Sequence, residues 1–329
     1  MRLTHHNPRL LRGLLSLLLW SAGASAMAQG VKITPLGSHD GEFCRFDRAL
    51  LLEDPDGTRI LYDAGRTVAG ANDPRLGKLD LVLVSHMHGD HVGDKRIAKP
   101  NAGRCENPDL PVPVLPNTNS VEIALAHKAV ILTGSEMPKF FAKKLASLGG
   151  DPKQSQLVRF GGSKKIGGVT LTTVPAVHSN GIAASMIGGE LGKLLDASGL
   201  TAHAGPPTGY VVTFSNGLTL YLSGDTGITA EQEKVVRDHY HARLVVINIG
   251  DTFTTGPAEA AFVINELIKP VTVIASHANE AATQGGKLLP DTRTAAFVEA
   301  VHVPVHLPLS GVSMEFSADG HCVSGCTAP

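Results

Sequence analysis

Residues 85–91 read Ser-His-Met-His-Gly-Asp-His. Three imidazoles and a carboxylate crowd one turn directly after the apolar run Leu79, Leu81, Val82, Leu83 and Val84. Imidazole nitrogen and carboxylate oxygen are the donors that zinc and related borderline ions accept. The spacing lets His86, His88, Asp90 and His91 aim at one point, and Gly89 keeps the bend free of steric penalty. A histidine-rich surface turn without metal is the plain alternative. Further donors arriving from elsewhere in the chain would separate the two.

Three such donors follow. His178 comes after the alternating stretch Val169, Leu171, Thr173, Val174; Asp225 comes after Leu218 to Leu222; His277 comes after Val271, Val273, Ile274. Each sits just past the end of an expected strand, as His86 does. Loops at one edge of a sheet are where a rigid scaffold converges residues distant in sequence. Taken singly, a histidine after a strand reads as a buried structural imidazole, and Asp225 as a turn residue or helix cap. Their common placement favours one constellation instead.

With those residues in place, the chain resembles the metallo-β-lactamase superfamily of metal-dependent hydrolases. The resemblance rests on His-x-His-x-Asp-His at 86–91, followed in order by His178, Asp225 and His277, and it runs from near Val31 to near Phe316. It implies one ion held by His86, His88 and His178, a second held by Asp90, His91 and His277, and Asp225 bridging them. Two divalent ions are expected on that pattern, zinc ahead of Mn2+ or Fe2+, with Asp90 orienting the attacking hydroxide. Ser85, Thr226 and Asn279 are candidates to support the ligands from behind.

The antibiotic-degrading enzymes place Cys or Ser near the position of Asp225, so the wider hydrolase set is the better match. The stretch from "YLSGDTG" to "VIASHANE" is similar to the branch containing ascorbate-6-phosphate lactonase and the N-acyl-phosphatidylethanolamine phospholipase D type. Cleavage of a small ester or lactone is therefore expected, with phosphodiester or β-lactam cleavage as the alternative. No Gly-x-Ser-x-Gly elbow frames a serine nucleophile. The rival of a different class is a non-catalytic periplasmic metal-binding or redox protein. A di-iron redox member of the fold would carry a carboxylate among ligands that are His here, and a flavin domain besides; the sequence contains neither.

Composition fits this reading. Of 329 residues, 43% are hydrophobic and 18% charged, enough for a substantial core. The formal charge of −1, with no Lys/Arg block, argues against nucleic acid as a partner. The first 28 residues read as a secretory signal peptide: Arg2, Arg9 and Arg12, then "GLLSLLLW", then a small-residue cleavage site ending at Ala26 or Ala28. The apolar part is too short to span a membrane, so no stable membrane insertion is expected and the mature protein is placed in the periplasm or outside the cell. Four cysteines, Cys44, Cys105, Cys322 and Cys326, agree with an oxidising compartment, and three pairings are open to them. Zinc binding by Cys322-x-x-x-Cys326 is disfavoured because no second Cys or His pair lies nearby in the sequence.

Residues 29–329 are expected to form a single domain: mixed hairpins and strand–helix alternation suggest an α/β, four-layer αββα sandwich. Asp54-Pro55-Asp56-Gly57 marks a hairpin. Helices are expected at 120–128, at 135–148 with Ser135 as cap, from a Thr229/Gln232 capping box to about Tyr240, from Pro257 to Ile268, and at 293–301. Residues 181–207 form a long connection beside a candidate ligand, read either as a substrate lid carrying His203 or as a surface helix with a packed Leu stripe. His127, His239, His241, His302, His306 and His321 show no ligand spacing. A small-molecule substrate is implied, and the sequence carries no signal for oligomeric state.

Overall fold

The computed structural model describes residues 1–3 and 29–329. The expected signal peptide therefore lies outside the described residues, apart from its first three. The chain first lays down β1 (Val31–Pro35), β2 (Leu50–Glu53), β3 (Arg59–Tyr62), β4 (Leu81–Leu83), β5 (Val130–Thr133) and β6 (Ser155–Leu157). It continues with β7 (Ser163–Ile166), β8 (Val169–Pro175), β9 (Thr208–Thr213) and β10 (Thr219–Leu222). Then come β11 (Leu244–Asn248), β12 (Thr272–Ser276), β13 (Val305–His306), β14 (Met314–Phe316) and β15 (Cys322–Ser324). One sheet has the order β6-β5-β4-β3-β2-β1-β14-β15, the other β7-β8-β9-β10-β11-β12-β13.

The period-2 alternation of the strands decides how the sheets stack. Ile60 and Tyr62 of β3 face the other sheet, while Leu61 between them faces outward; Leu220 and Leu222 of β10 face inward, and Tyr221 outward. The inner faces form one core that includes Tyr210, Val212 and Phe316. The first sheet's outer face is covered by α2 (Asn119–His127) and α3 (Met137–Ser147), following the single turn α1 (Gly89–Val92), with Val121, Phe141 and Leu145 buried against Leu61 and Val82. After α4 (Ala184–Ile187) and α5 (Gly189–Ala197), the second sheet is covered by α6 (Pro257–Phe262), which runs on in wider turns to Ile268, and by α7 (Arg293–Ala300). These bury Ile264 and Phe297 against Val245 and Ile247. The result is the four-layer αββα sandwich.

Strand direction fixes the site. In the first sheet β3, β4 and β5 are parallel, and in the second β10, β11, β12 and β13 are parallel. Parallel strands deliver their carboxyl ends to one edge, where ligands of such sheets gather. Asp63, His86, Asp225, Gly250 and His277 all follow such ends.

Several local expectations change. Ser135 does not cap α3: its φ is 56°, its Oγ donates to Pro206 O at 2.5 Å, and the helix starts at Met137 with Pro138 in its first turn. Half of the capping box at Thr229 forms, with Thr229 N donating to Gln232 Oε1 at 2.9 Å, but Thr229 Oγ1 has no partner and the helix is a wide π-type turn over Gln232–Arg237. Pro257 occupies the first turn of α6 as expected. The cysteines pair as Cys44–Cys105 and Cys322–Cys326. His306 lies beside the second pair, a proximity that sequence spacing hides. No helix among the described residues is long and apolar enough to cross a membrane.

Candidate metal centre

All seven expected ligands meet at the shared edge of the two sheets. Asp225 Oδ2 is the hub: it lies 3.1 Å from His277 Nε2, 3.3 Å from His91 Nε2, 3.7 Å from His178 Nε2 and 3.8 Å from His86 Nε2. His88 Nδ1 faces His178 Nε2 at 3.3 Å. Asp90 Oδ2 is 3.4 Å from His277 Nε2 and 3.7 Å from His91 Nε2. Two groups have donor atoms close enough to hold an ion, His86/His88/His178/Asp225 and Asp90/His91/His277.

The donor atoms fit a metal. Nε2 of His86, His91 and His277 are buried with no hydrogen-bond partner. An orphaned buried nitrogen costs about 1–3 kcal/mol, and three of them converging on one carboxylate form a donor set that could hold a metal ion. Burial, and then the neighbouring His91, push the His86 imidazole well below its ordinary range; burial and His178 do the same, less strongly, to His88. His178 is likewise lowered, chiefly by burial. Neutral imidazole is the ligand form. Burial opposes the charge on Asp225 and Asp90, but His91 and its neighbours overcome it and hold both carboxyls well below the usual range. For His91 burial acts downward, and Asp225, Asp90 and Asp63 outweigh it, pushing the ring well up.

Behind the ligands stands a residue that the sequence reading passed over, Asp63. Its Oδ1 accepts from Ser85 N at 2.8 Å, and its Oδ2 accepts from Ser85 Oγ at 2.7 Å and from His91 Nδ1 at 2.8 Å. Ser85 Oγ in turn sits 2.9 Å from His86 Nδ1. Asp63 has the signature of Asp225, an acid followed by a turn after a strand, and that signal was there to be found. A second overlooked residue is Arg48, its side chain only 2% exposed, which donates to Asn279 Oδ1 at 2.5 Å and approaches Asp90 Oδ2 at 3.4 Å.

Of the expected supporting residues, Ser85 touches a ligand directly. Thr226 works at one remove, accepting from Val177 N at 3.0 Å and so holding the loop that carries His178. Asn279 links Arg48 to Gly250 O, donating to the latter at 2.9 Å. His203 is misplaced as a lid residue. It pairs with Gly181 in a short ladder and lines a separate cavity with Ser135, Glu136 and Phe160. The Leu stripe of α5 is not packed either, since Leu191 and Leu194 are exposed.

The backbone is drawn tight around the centre. Asp63, His277 and Asn279 adopt φ of 42°, 53° and 58°, a left-handed conformation that such residues take at a cost of order 1–3 kcal/mol. Gly250 is required by close approach: a Cβ there would stand 2.0 Å from His277 O and 2.7 Å from His277 Nδ1. The centre opens into a cavity of about 450 Å³ bordered by His88, Asp90, His178 and His277.

The chain matches the family model described as "Beta-lactamase superfamily domain" over residues 58–278. It is 32% identical over 249 residues to a UPF0173 metal-dependent hydrolase of Pelotomaculum thermopropionicum, covering 76% of this chain and 85% of that one. It is 30% identical over 275 residues to a UPF0173 metal-dependent hydrolase of Cupriavidus necator, covering 80% and 81%. Among solved structures, the metallo hydrolase Igni18 of Ignicoccus hospitalis shares the fold at a TM-score of 0.54 and 20% identity, over 87% of this chain and 100% of that one. The chain belongs to the metallo-β-lactamase superfamily, among its metal-dependent hydrolases.

Proposed function

We propose that this protein is an exported binuclear hydrolase, with zinc as the ion, that cleaves a small ester or lactone. The observation that carries the proposal is the position of Asp225 Oδ2 within 3.1–3.8 Å of four imidazole nitrogens, three of the surrounding nitrogens being buried and unpartnered. His86, His88 and His178 would hold one ion, Asp90, His91 and His277 the other, and Asp225 would bridge them.

When bound, two such ions lower the pKa of water and polarise the oxygen of the group under attack. The protein's own residues do the rest. His86 and His91 are locked through their Nδ1 sides, which leaves Nε2 free as the donor. Asp225 is 4% exposed and Asp90 24%, so Asp90 is the carboxylate open to the cavity and is placed to orient the attacking water. Arg48 steadies that carboxylate, and Asn279 in turn holds Arg48.

Purified mature protein should carry two divalent ions per chain by elemental analysis and turn over at least one member of a panel of lactones, esters, phosphodiesters and β-lactams. Two bound ions with no turnover across the panel would favour a metal-binding role. Export is supported by the signal-like pattern of residues 1–28 and by cysteines placed to form disulfides. Periplasmic protein should begin near Gln29; a cytosolic form retaining Met1 would overturn export.

A further inference from the structure

The cavity over the metal centre is bordered by four arginines, Arg45, Arg48, Arg66 and Arg293, and by no lysine. This is an unusual gathering in a chain whose formal charge is −1. Two of the four are already committed. Arg48 is buried against Asp90, and Arg66 forms a two-pronged pair with Asp94 at 2.7 and 2.8 Å. The other two retain donors. Arg45 has no carboxylate partner among the described residues; its guanidinium lies 5.3 Å from the centre of the Phe46 ring, which also has Arg66 at 5.7 Å. Arg293 forms a long ion pair with Glu280 Oε2 at 3.8 Å and donates from the same terminal nitrogen to Ala278 O at 3.5 Å, while its other guanidinium N–H groups have no hydrogen-bond partner among the described residues.

Three acids border the same cavity as the four arginines. Asp90 and Asp225 belong to the metal centre. Asp251 is the one further acid bordering the cavity, and it lies beside Gly256 at the start of α6. Arg45 comes from the loop before β2 and Arg293 from the first position of α7, so the two halves of the chain each bring one available guanidinium to the same cavity. Guanidinium is the fork that recognises carboxylate and phosphate oxygens in pairs.

We infer that the substrate carries an anionic group, a carboxylate or a phosphate, that docks on Arg45 and Arg293 while its scissile bond lies over the metal centre. The position of the scissile bond rests on the hydrolase reading; the anion site itself does not. The Phe46 ring lies within cation–π distance of Arg45, so one face of the guanidinium has an aromatic neighbour. Ion pairing at such a half-open site is sensitive to salt.

The test uses metal-loaded, full-length mature protein titrated calorimetrically with inorganic phosphate and, separately, with malonate, at low and high salt. Wild type is compared with Arg45→Ala, Arg293→Ala and the double variant, after checking that each keeps its metal content and melting temperature. The expected result is at least a tenfold loss of affinity for one probe in the double variant, with the salt dependence reduced. Loss for phosphate alone assigns a phosphate-bearing substrate, and loss for malonate alone a carboxylate-bearing one. Arg45→Ala, at an exposed position, gives the same reading if Arg293→Ala fails to fold. Equal affinities for both probes in wild type and the variants would overturn the inference. Failure of the hydrolase reading would show differently, as bound metal with intact anion binding and no turnover.

Discussion

Asp63 Oδ2 accepts a hydrogen bond from His91 Nδ1 at 2.8 Å, and this contact settles which nitrogen of His91 faces the centre. With Nδ1 committed to a carboxylate, Nε2 is the nitrogen directed at Asp225, 3.3 Å away, and the one available to an ion. The same oxygen reaches His86 through Ser85 Oγ, so one carboxylate sets the tautomer of two proposed ligands.

Asp63→Asn should therefore weaken metal binding about 10–100-fold while leaving the fold in place. The amide can accept only through one atom and presents a donor where His91 also donates. Competition against a chromogenic chelator measures the change, and wild-type affinity in the variant would show that Asp63 is merely a turn residue.

Asp225→Ala removes the hub from both groups of donors. Metal content should fall below two ions per chain, and turnover should drop by at least about 100-fold. Combined with His178→Ala, the loss should be smaller than the product of the single losses, because both act on the same centre. Elemental analysis and steady-state kinetics on the two single variants and the double variant check this.

Gly250→Ala introduces a methyl group into the space of His277 O and Nδ1. We expect a loss of about 1–3 kcal/mol from overpacking, together with weaker binding of the ion proposed for Asp90, His91 and His277. Urea melts and metal titration on the variant report the two effects separately.

Asp47 supplies a pH dependence away from the centre. It is fully buried, and desolvation pushes its carboxyl up to about 6, even though Cys44 N and Ser38 N donate to it. A carboxyl raised in the folded state is held more firmly protonated there than in the unfolded chain. Its contribution to stability is thus largest below about pH 4 and is lost as the pH rises toward 6. The span of about two pH units corresponds to roughly 3 kcal/mol. The stability difference between wild type and Asp47→Asn, measured by urea melts from pH 4 to 7, should shift by about that amount in favour of the variant. A constant difference would contradict the assignment.

The seven proposed ligands were legible because four crowd one turn after a hydrophobic strand and the other three each follow a strand of their own. Asp63 was not singled out because an acid after a strand is ordinary turn chemistry until Ser85, 22 positions later in the chain, is seen to fold onto it. Arg48 was hidden for a similar reason: its bond to Asn279 spans 231 positions, and nothing local distinguishes it from a solvated arginine. The layer order was legible from mixed hairpins and strand–helix alternation, whereas strands such as β3 and β10 are apolar on both faces and do not show in sequence which face turns inward. Helix starts were less secure, because Ser135 found a tertiary partner in Pro206 in place of the helix amides that local sequence assigned to it. Proximity in sequence to His178 does not specify which cavity His203 borders; the ladder with Gly181 sets it beside Ser135 and Phe160.

The proposed ligands divide between the two sheets: His86, His88, Asp90 and His91 follow β4, whereas His178, Asp225 and His277 follow strands of the second sheet. Each ion would draw donors from both. Occupancy of the centre is then thermodynamically linked to the closure of one sheet upon the other, and every tenfold excess of free ion over its dissociation constant adds about 1.4 kcal/mol against their separation. Amide hydrogens in β4 and β10 should consequently exchange faster in chelator, although no residue of either strand touches the metal, and the ions would serve the molecule as a rivet as much as a reagent.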